Sequence, residues 1–299
     1  MARFPVLLDN AGGISPESRM AHLAAVFKKP LQTSNIHVIR ELSASEFGEF
    51  ETLFVEFRTL RERQSLVHIF DRDFHEIQSF VNSLESGKAI QAGRALVDLN
   101  KRFMDYLASG YALREHLETA LKRDFGRNSE HAIRFPQLLW FLEKTSFEYA
   151  FLQDFRNFVQ HCAFPVGNVY LRRDLTGSWL TVTYSRLDLL RLYKGWKKCA
   201  LETRPEMEID LLDVVRAAHH VAIQKFSGVI CLAYGKNLPR MDSCFSGFHK
   251  EAADINPSSV ARIVLSRTGT PESGEVKLQD IPRNPYGELG LRHPDSSDA

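Results

Sequence analysis

Cysteine is scarce in this chain of 299 residues, and its four copies do not cluster. Cys162, Cys199, Cys231 and Cys244 form no Cys-x-x-Cys pair. That spacing argues against a zinc site and against a disulfide framework, and it reads as reduced thiols. Long apolar runs are missing too. The longest, Phe226 to Tyr234, is interrupted by Ser227 and Gly228 and falls short of the ~20 residues that a membrane-spanning helix needs. Met1 to Leu8 is too short and too weakly charged for a secretory leader. The expectation is a cytoplasmic protein with no membrane contact.

The glycines form no Gly-x-Gly-x-x-Gly or phosphate-loop pattern, and no serine sits in a Gly-x-Ser-x-Gly elbow. Charge of one sign is also lacking. Lys and Arg number 38 against 37 Asp and Glu, a net charge of +1 that does not announce a nucleic-acid binder. His116 between Glu115 and Glu118, and His219-His220 beside Arg216, read as ordinary helix faces. Cys244, His249 and Asp242 lack the ligand spacing of a metal site. No metal and no cofactor are expected.

What is present is a hydrophobic content of 44% with 25% charged residues, enough for a real core. The pattern divides the chain into an N-terminal extension (1–42), a helical bundle (43–235) with a β-hairpin insertion at 167–185, a small α/β extension (236–283) and a disordered polar tail (284–299). Met20 to Phe27 is a candidate short helix. Ser43-Ala44-Ser45-Glu46 has the spacing of a capping box and opens a long helix reaching about Leu84. A second helix runs from Lys88 to Phe125, closed by Gly126. Gly126 to Pro136 reads as a connection, and a third helix covers Gln137 to Ala163. After the hairpin come a basic helix, Leu187 to Ala200, and a fourth long helix, Ile209 to Ala233. Asn237 to Ser259 looks irregular, and Ala261–Ser266 and Glu275–Leu278 are weak strand candidates.

The third helix carries the most informative stretch, Arg156-Asn157-Phe158-Val159-Gln160-His161. A guanidinium, an amide and an imidazole within six residues can support phosphodiester cleavage, because His moves protons near neutral pH and Arg holds charge that builds on phosphorus. Phe147, Phe151, Phe155, Phe158 and Cys162 make one apolar stripe, which assigns Cys162 to the core. His161 projects roughly 80° and Asn157 roughly 120° from that stripe, so the motif borders the core and faces outward. Arg63 and His68 repeat the spacing without the Asn. From residue 156 to 204, nine Lys/Arg face three acids, a local excess attractive to phosphate. A second reading stays open: Arg156 and His161 as cations favoured by the dipole at a helix C-terminus.

The phrase Phe155 to Cys162, followed by Pro165-Val166, resembles the Arg-Asn-aromatic-x-x-His lines of bacterial HEPN-type defence and toxin proteins. The resemblance implies a mainly α fold, an elaborated four-helix HEPN-like bundle with a small β-hairpin insertion. It implies a homodimer in which two motif copies share one cleft. The activity implied is metal-independent RNA endonuclease chemistry leaving a 2′,3′-cyclic phosphate. His161 is then the general acid or base, Arg156 stabilises the transition state, and Asn157 orients the phosphate or the imidazole. Gln160, Arg172, Arg173, Lys197 and Lys198 become the expected RNA contacts. A toxin or defence effector of this kind implies an antitoxin or other regulatory partner. Some HEPN toxins carry a Tyr two residues after the His; Ala163 stands there, which puts a nucleotidyltransferase antitoxin in doubt. The alternative is a non-catalytic HEPN-like module that binds a nucleotide or a protein.

Overall fold

Ser43 and Glu46 form the capping box that their spacing predicts. In a computed structural model of the chain, Ser43 Oγ accepts the Glu46 N–H at 3.2 Å and Glu46 Oε2 accepts the Ser43 N–H at 2.9 Å. Hydrogen bonding from Arg40, then from Ser43, draws the Glu46 carboxyl down to about 2. The helix opened there, α1 (Ala44–Glu85), is 42 residues long. The structure describes residues 21–27, 35–87, 91–174, 177–255, 260–268 and 276–291. Along them follow β1 (Ala21–Phe27), β2 (Asn35–Glu41), α1, α2 (Ala92–Phe125), α3 (Glu130–Thr145), α4 (Phe147–His161), β3 (Asn168–Asp174) and β4 (Gly177–Ser185). Then come α5 (Arg186–Leu192), β5 (Glu208–Asp210), α6 (Leu211–Tyr234), α7 (Leu238–Ile255), β6 (Val260–Thr268), β7 (Val276–Asp280) and α8 (Pro285–Glu288). The fold is mainly helical, as expected, with two small antiparallel sheets.

The chain divides into two compact units, residues 1–58 with 237–299 and residues 59–236. The N- and C-terminal extensions, read separately in the sequence, therefore share a unit. Its sheet has the order β2-β1-β6-β7, with Leu23 opposite Leu265. Residues 21–27 are a strand where a helix was expected. A short apolar run cannot be assigned by periodicity alone, and pairing with β6 and β2 decides it. The segment read as irregular contains α7, whose Met241, Phe245, Phe248 and Ala252 are buried at helical spacing. Phe245 packs 5.7 Å from Phe50 and 5.9 Å from Phe57, ring centre to ring centre. Pro285, Tyr286 and Leu289 are also buried, so order extends into the segment predicted as tail. Residues 292–299 and the predicted loop Asn10–Ser18 lie outside the described residues.

The second unit gathers α2 to α6 with the rest of α1. Phe70 stacks on Tyr106 at 4.9 Å, and Phe135 lies 5.9 Å from Phe226. The expected hairpin forms, with Arg172 opposite Trp179, and β5 adds a third strand. The third helix is two. Ser129 caps α3, so Pro136 lies within a helix and does not precede one. Ser146 leaves helical geometry (φ −124°, ψ 114°), and its hydroxyl accepts the Tyr149 N–H to start α4. The basic helix is shorter than expected: α5 ends at Leu192, and residues 193–200 run without regular structure. No helix among the described residues is long and apolar enough to cross a membrane.

Candidate functional site

Two aromatic contacts set the rotation of α4. Tyr184 of β4 meets Phe158 edge-on at 5.4 Å. Trp196 stacks on Phe151 at 5.5 Å. The predicted apolar stripe is thus the buried face, and Asp154 sits within it at 2% exposure. Its carboxylate accepts the Lys198 N–H at 2.7 Å and the Cys199 N–H at 3.2 Å. A buried carboxylate needs donors, and Asp154 finds them by anchoring residues 193–200 under the helix. Burial, with Asp154 adding to it, pushes the Cys199 thiol up to about 12, which keeps it a neutral core group. Cys162, read as core, is exposed instead. The helix ends at His161, and Cys162 takes non-helical angles (φ −125°, ψ −50°), so it leaves the stripe.

With the Phe face buried, Arg156 turns toward α2. Its guanidinium carbon lies 3.8 Å from the centre of the Tyr111 ring, and Nη1 donates to Asn157 Oδ1 at 3.2 Å. Arg156 makes no ion pair among the described residues, whereas Arg63, Arg102 and Arg114 of the same unit each have a carboxylate. Asn100 of α2 accepts the Val166 N–H at 3.0 Å. These two contacts run α4 antiparallel to α2. His161 is exposed in the last turn and has no hydrogen-bond partner among the described residues. The structure therefore joins Arg156 to Asn157, adds Tyr111, and leaves His161 one turn beyond Asn157, open to solvent. Gln160 is exposed beside it.

The expected RNA contacts disperse. Arg172 is exposed on β3, with Tyr170 on the same face and Trp179 across the ladder. The side chain of Arg173 lies outside the described residues. Lys197 is exposed, while Lys198 pairs with Glu143 at 2.5 Å, the carboxylate that also receives Arg114 at 3.4 Å.

Beside Arg156 a narrow slot opens between α1, α2, α4 and α6. Gly110 lets Phe70 close one wall, since a Cβ there would lie 2.8 Å from the ring. Tyr106 and Tyr149 line the slot at 1% and 3% exposure, and neither hydroxyl has a partner among the described residues. Burial raises the pKa of both phenols. Nearby, His219 is buried, not on an open helix face as expected. Its ring stacks on Phe74 at 4.0 Å, and Nε2 lies 3.0 Å from Asp71 Oδ1. Its position, four after Val215 and three before Ala222 in the buried register of α6, was a readable signal. Tyr106 and Tyr149 carried none, because a phenol at a core position looks apolar in a periodicity.

Family models, curated proteins and solved structures offer no match to this chain. Function has to be read from the residues themselves. Among the described residues no group of three His, Cys, Asp or Glu is placed to hold a metal ion.

Proposed function

We propose that this chain is a metal-independent endoribonuclease of HEPN type that works as a homodimer. One observation carries the reading: a guanidinium with no ion pair among the described residues, steadied by Asn157 and Tyr111, stands on the same terminal helix segment as an exposed imidazole. Arg156 is a fixed positive charge for a phosphate that becomes more negative during reaction. His161 of one protomer takes the proton of the RNA 2′-OH, and the 2′ oxygen attacks phosphorus. The bond to the 5′ oxygen breaks, and the partner's His161 protonates that oxygen. The products are a 2′,3′-cyclic phosphate and a 5′-hydroxyl.

Two surfaces support the reading. Val97, Met104 and Tyr111 are exposed at seven-residue spacing on one face of α2, and Phe164, 68% exposed, follows α4. A second copy covering this stripe brings the two motifs together. On the hairpin, Arg172, Tyr170 and Trp179 give a cation and two rings on one face, a combination suited to single-stranded RNA.

The test is cleavage of structured RNA in EDTA by wild type, His161→Ala and Arg156→Ala, with folds checked by circular dichroism. Cleavage by wild type alone, with cyclic phosphate ends, supports the proposal. Equal cleavage by all three moves the active site elsewhere. A second reading, a non-catalytic binding module, is favoured by the turn of Arg156 onto the slot. Wild type that binds but never cleaves selects it.

A further inference from the structure

The hairpin leaves one long strand edge open. β3 ends the order β3-β4-β5, so among the described residues no strand pairs with its outer side. A single bond elsewhere in the hairpin fixes which backbone groups point out there. The Leu180 N–H donates to Glu85 Oε1 at 2.7 Å, so it points away from β3. Directly opposed residues of an antiparallel pair exchange both their hydrogen bonds or neither. Leu171 stands opposite Leu180, so its N–H and C=O also turn away from β4, and neither finds a partner among the described residues. Glu85 thus closes the open part of β4, and among the described residues no side chain does the same for β3. Sheet edges are commonly blunted by a bulge, a proline or brevity. β3 runs for seven residues without a proline and pairs with β4 without a register shift, whereas β1 shifts register against both its neighbours. Tyr170 and Leu171 are 48% and 43% exposed along it.

We propose that β3 pairs antiparallel with β3 of a second copy of this chain, so that two three-stranded sheets become one. The strand's own side chains choose the register. With the two copies of Leu171 opposite each other, Tyr170 faces the partner's Arg172 on both sides of the axis. Each such pair sets a cation against a ring, and the exposed leucines cover one another on the other face of the sheet. Arg172 already has Trp179 across the ladder, so it then lies between two rings. A slip one way puts Arg172 against the partner's Arg172, and like charges directly opposite repel. A slip the other way puts Tyr170 against the partner's Tyr170, loses both cation–ring pairs and shortens the ladder. Arg172 therefore selects the register, where a charge on an edge otherwise only discourages pairing. The contact lies on a different element from the exposed stripe of α2 and does not rest on the nuclease reading. It places Tyr170, Arg172 and Trp179 of both copies on one continuous face.

A ladder of this length buries less than the roughly 1,600 Å² of a standard interface, so the association is reversible and is read over a concentration series. The full chain is used, alone and with oligouridylate. Sedimentation gives the limiting mass, and amide exchange is followed at Leu171. The expected result without RNA is exchange at Leu171 that slows at least tenfold as protein concentration rises, and a limiting mass halved in Leu171→Pro. Because the Leu171 N–H faces outward, proline there blocks the edge and removes no bond of the hairpin. Should Leu171→Pro disturb the hairpin, a charge pair decides. Tyr170→Lys sets two cations across the axis and should weaken association, and Tyr170→Lys/Arg172→Glu sets opposite charges there and should restore it. Weakening without that rescue overturns the register. Fast exchange at Leu171 at every concentration, or an unchanged mass in a folded Leu171→Pro, overturns the proposal while leaving a dimer through α2 intact. Protection that appears only with oligouridylate gives the edge to RNA and overturns it as well.

Discussion

Arg156 sits over the Tyr111 ring, the guanidinium carbon 3.8 Å from the ring centre, and this contact links α4 to α2 at the motif. Asn157 takes a hydrogen bond from the same guanidinium at 3.2 Å. Together they restrict a long side chain that would otherwise sample many rotamers, and they do so without neutralising its charge. The placement of the Arg156 guanidinium thus depends on a residue forty-five positions upstream, outside the motif itself.

The first prediction concerns that stack. A cation–π contact at a partly exposed site is worth about 0.5–1 kcal/mol. Tyr111→Leu keeps the apolar bulk and removes the π face, so under the proposed nuclease function RNA cleavage should slow about two- to fivefold. Tyr111→Phe should retain most of the rate. Single-turnover kinetics on one RNA would check it, and equal rates for wild type and Tyr111→Leu would show that the stack does not position Arg156.

Asp154 anchors residues 193–200 through the N–H groups of Lys198 and Cys199. Hydrogen bonds to a charged group contribute about 1.5–3 kcal/mol each. Asp154→Ala should therefore cost about 3 kcal/mol or more in urea unfolding, with Asp154→Asn losing less because an acceptor remains. Amide exchange at Lys198 and Cys199 should accelerate in the Ala variant. An unchanged urea midpoint would refute the anchoring role.

His219 supplies a pH dependence. Burial lowers its pKa below the ordinary 6.5, outweighing the pull of Asp71 in the other direction, while His75 and His220 add a small push downward. Above about pH 6.5 the imidazole is neutral in folded and unfolded chains alike, and it has no effect. Below that, the unfolded chain takes up a proton that the folded chain resists, so stability declines as pH falls toward the depressed folded pKa. His249, lowered by burial as well, acts in the same sense. The urea midpoint should drop on acidification below about pH 6.5, and less steeply in His219→Phe. A wild-type curve flat through this window would contradict the assignment.

Some of this was legible in the residues alone. The Ser43–Glu46 box, the Phe151-Phe155-Phe158 stripe, the hairpin and the two late strands all rest on local chemistry, and all formed. The break at Ser146 was readable in principle, from a serine with Glu148 in the following turn, but apolar spacing on both sides concealed it. In α7, Ser243, Ser246 and Gly247 have weak helix propensity and masked a regular spacing of buried residues. The candidate site was legible as a motif. So was the outward face of His161, whereas the lack of an ion-pair partner for Arg156 among the described residues was not.

The sequence by itself determined which faces of the helices are apolar, where α1 begins, and that Asn157 and His161 share one side of a helix end. Those follow from periodicity and from hydrogen bonds within a few residues. Only the tertiary structure decided that residues 21–27 are a strand, since their partner β6 starts at Val260. It also decided that Asp154 is buried under the N–H groups of Lys198 and Cys199, that His219 meets Asp71, and that Tyr106 and Tyr149 close a slot beside Arg156. Each of these depends on groups distant in the chain, whose pairing and desolvation free energies exceed the weak local preferences that a sequence displays.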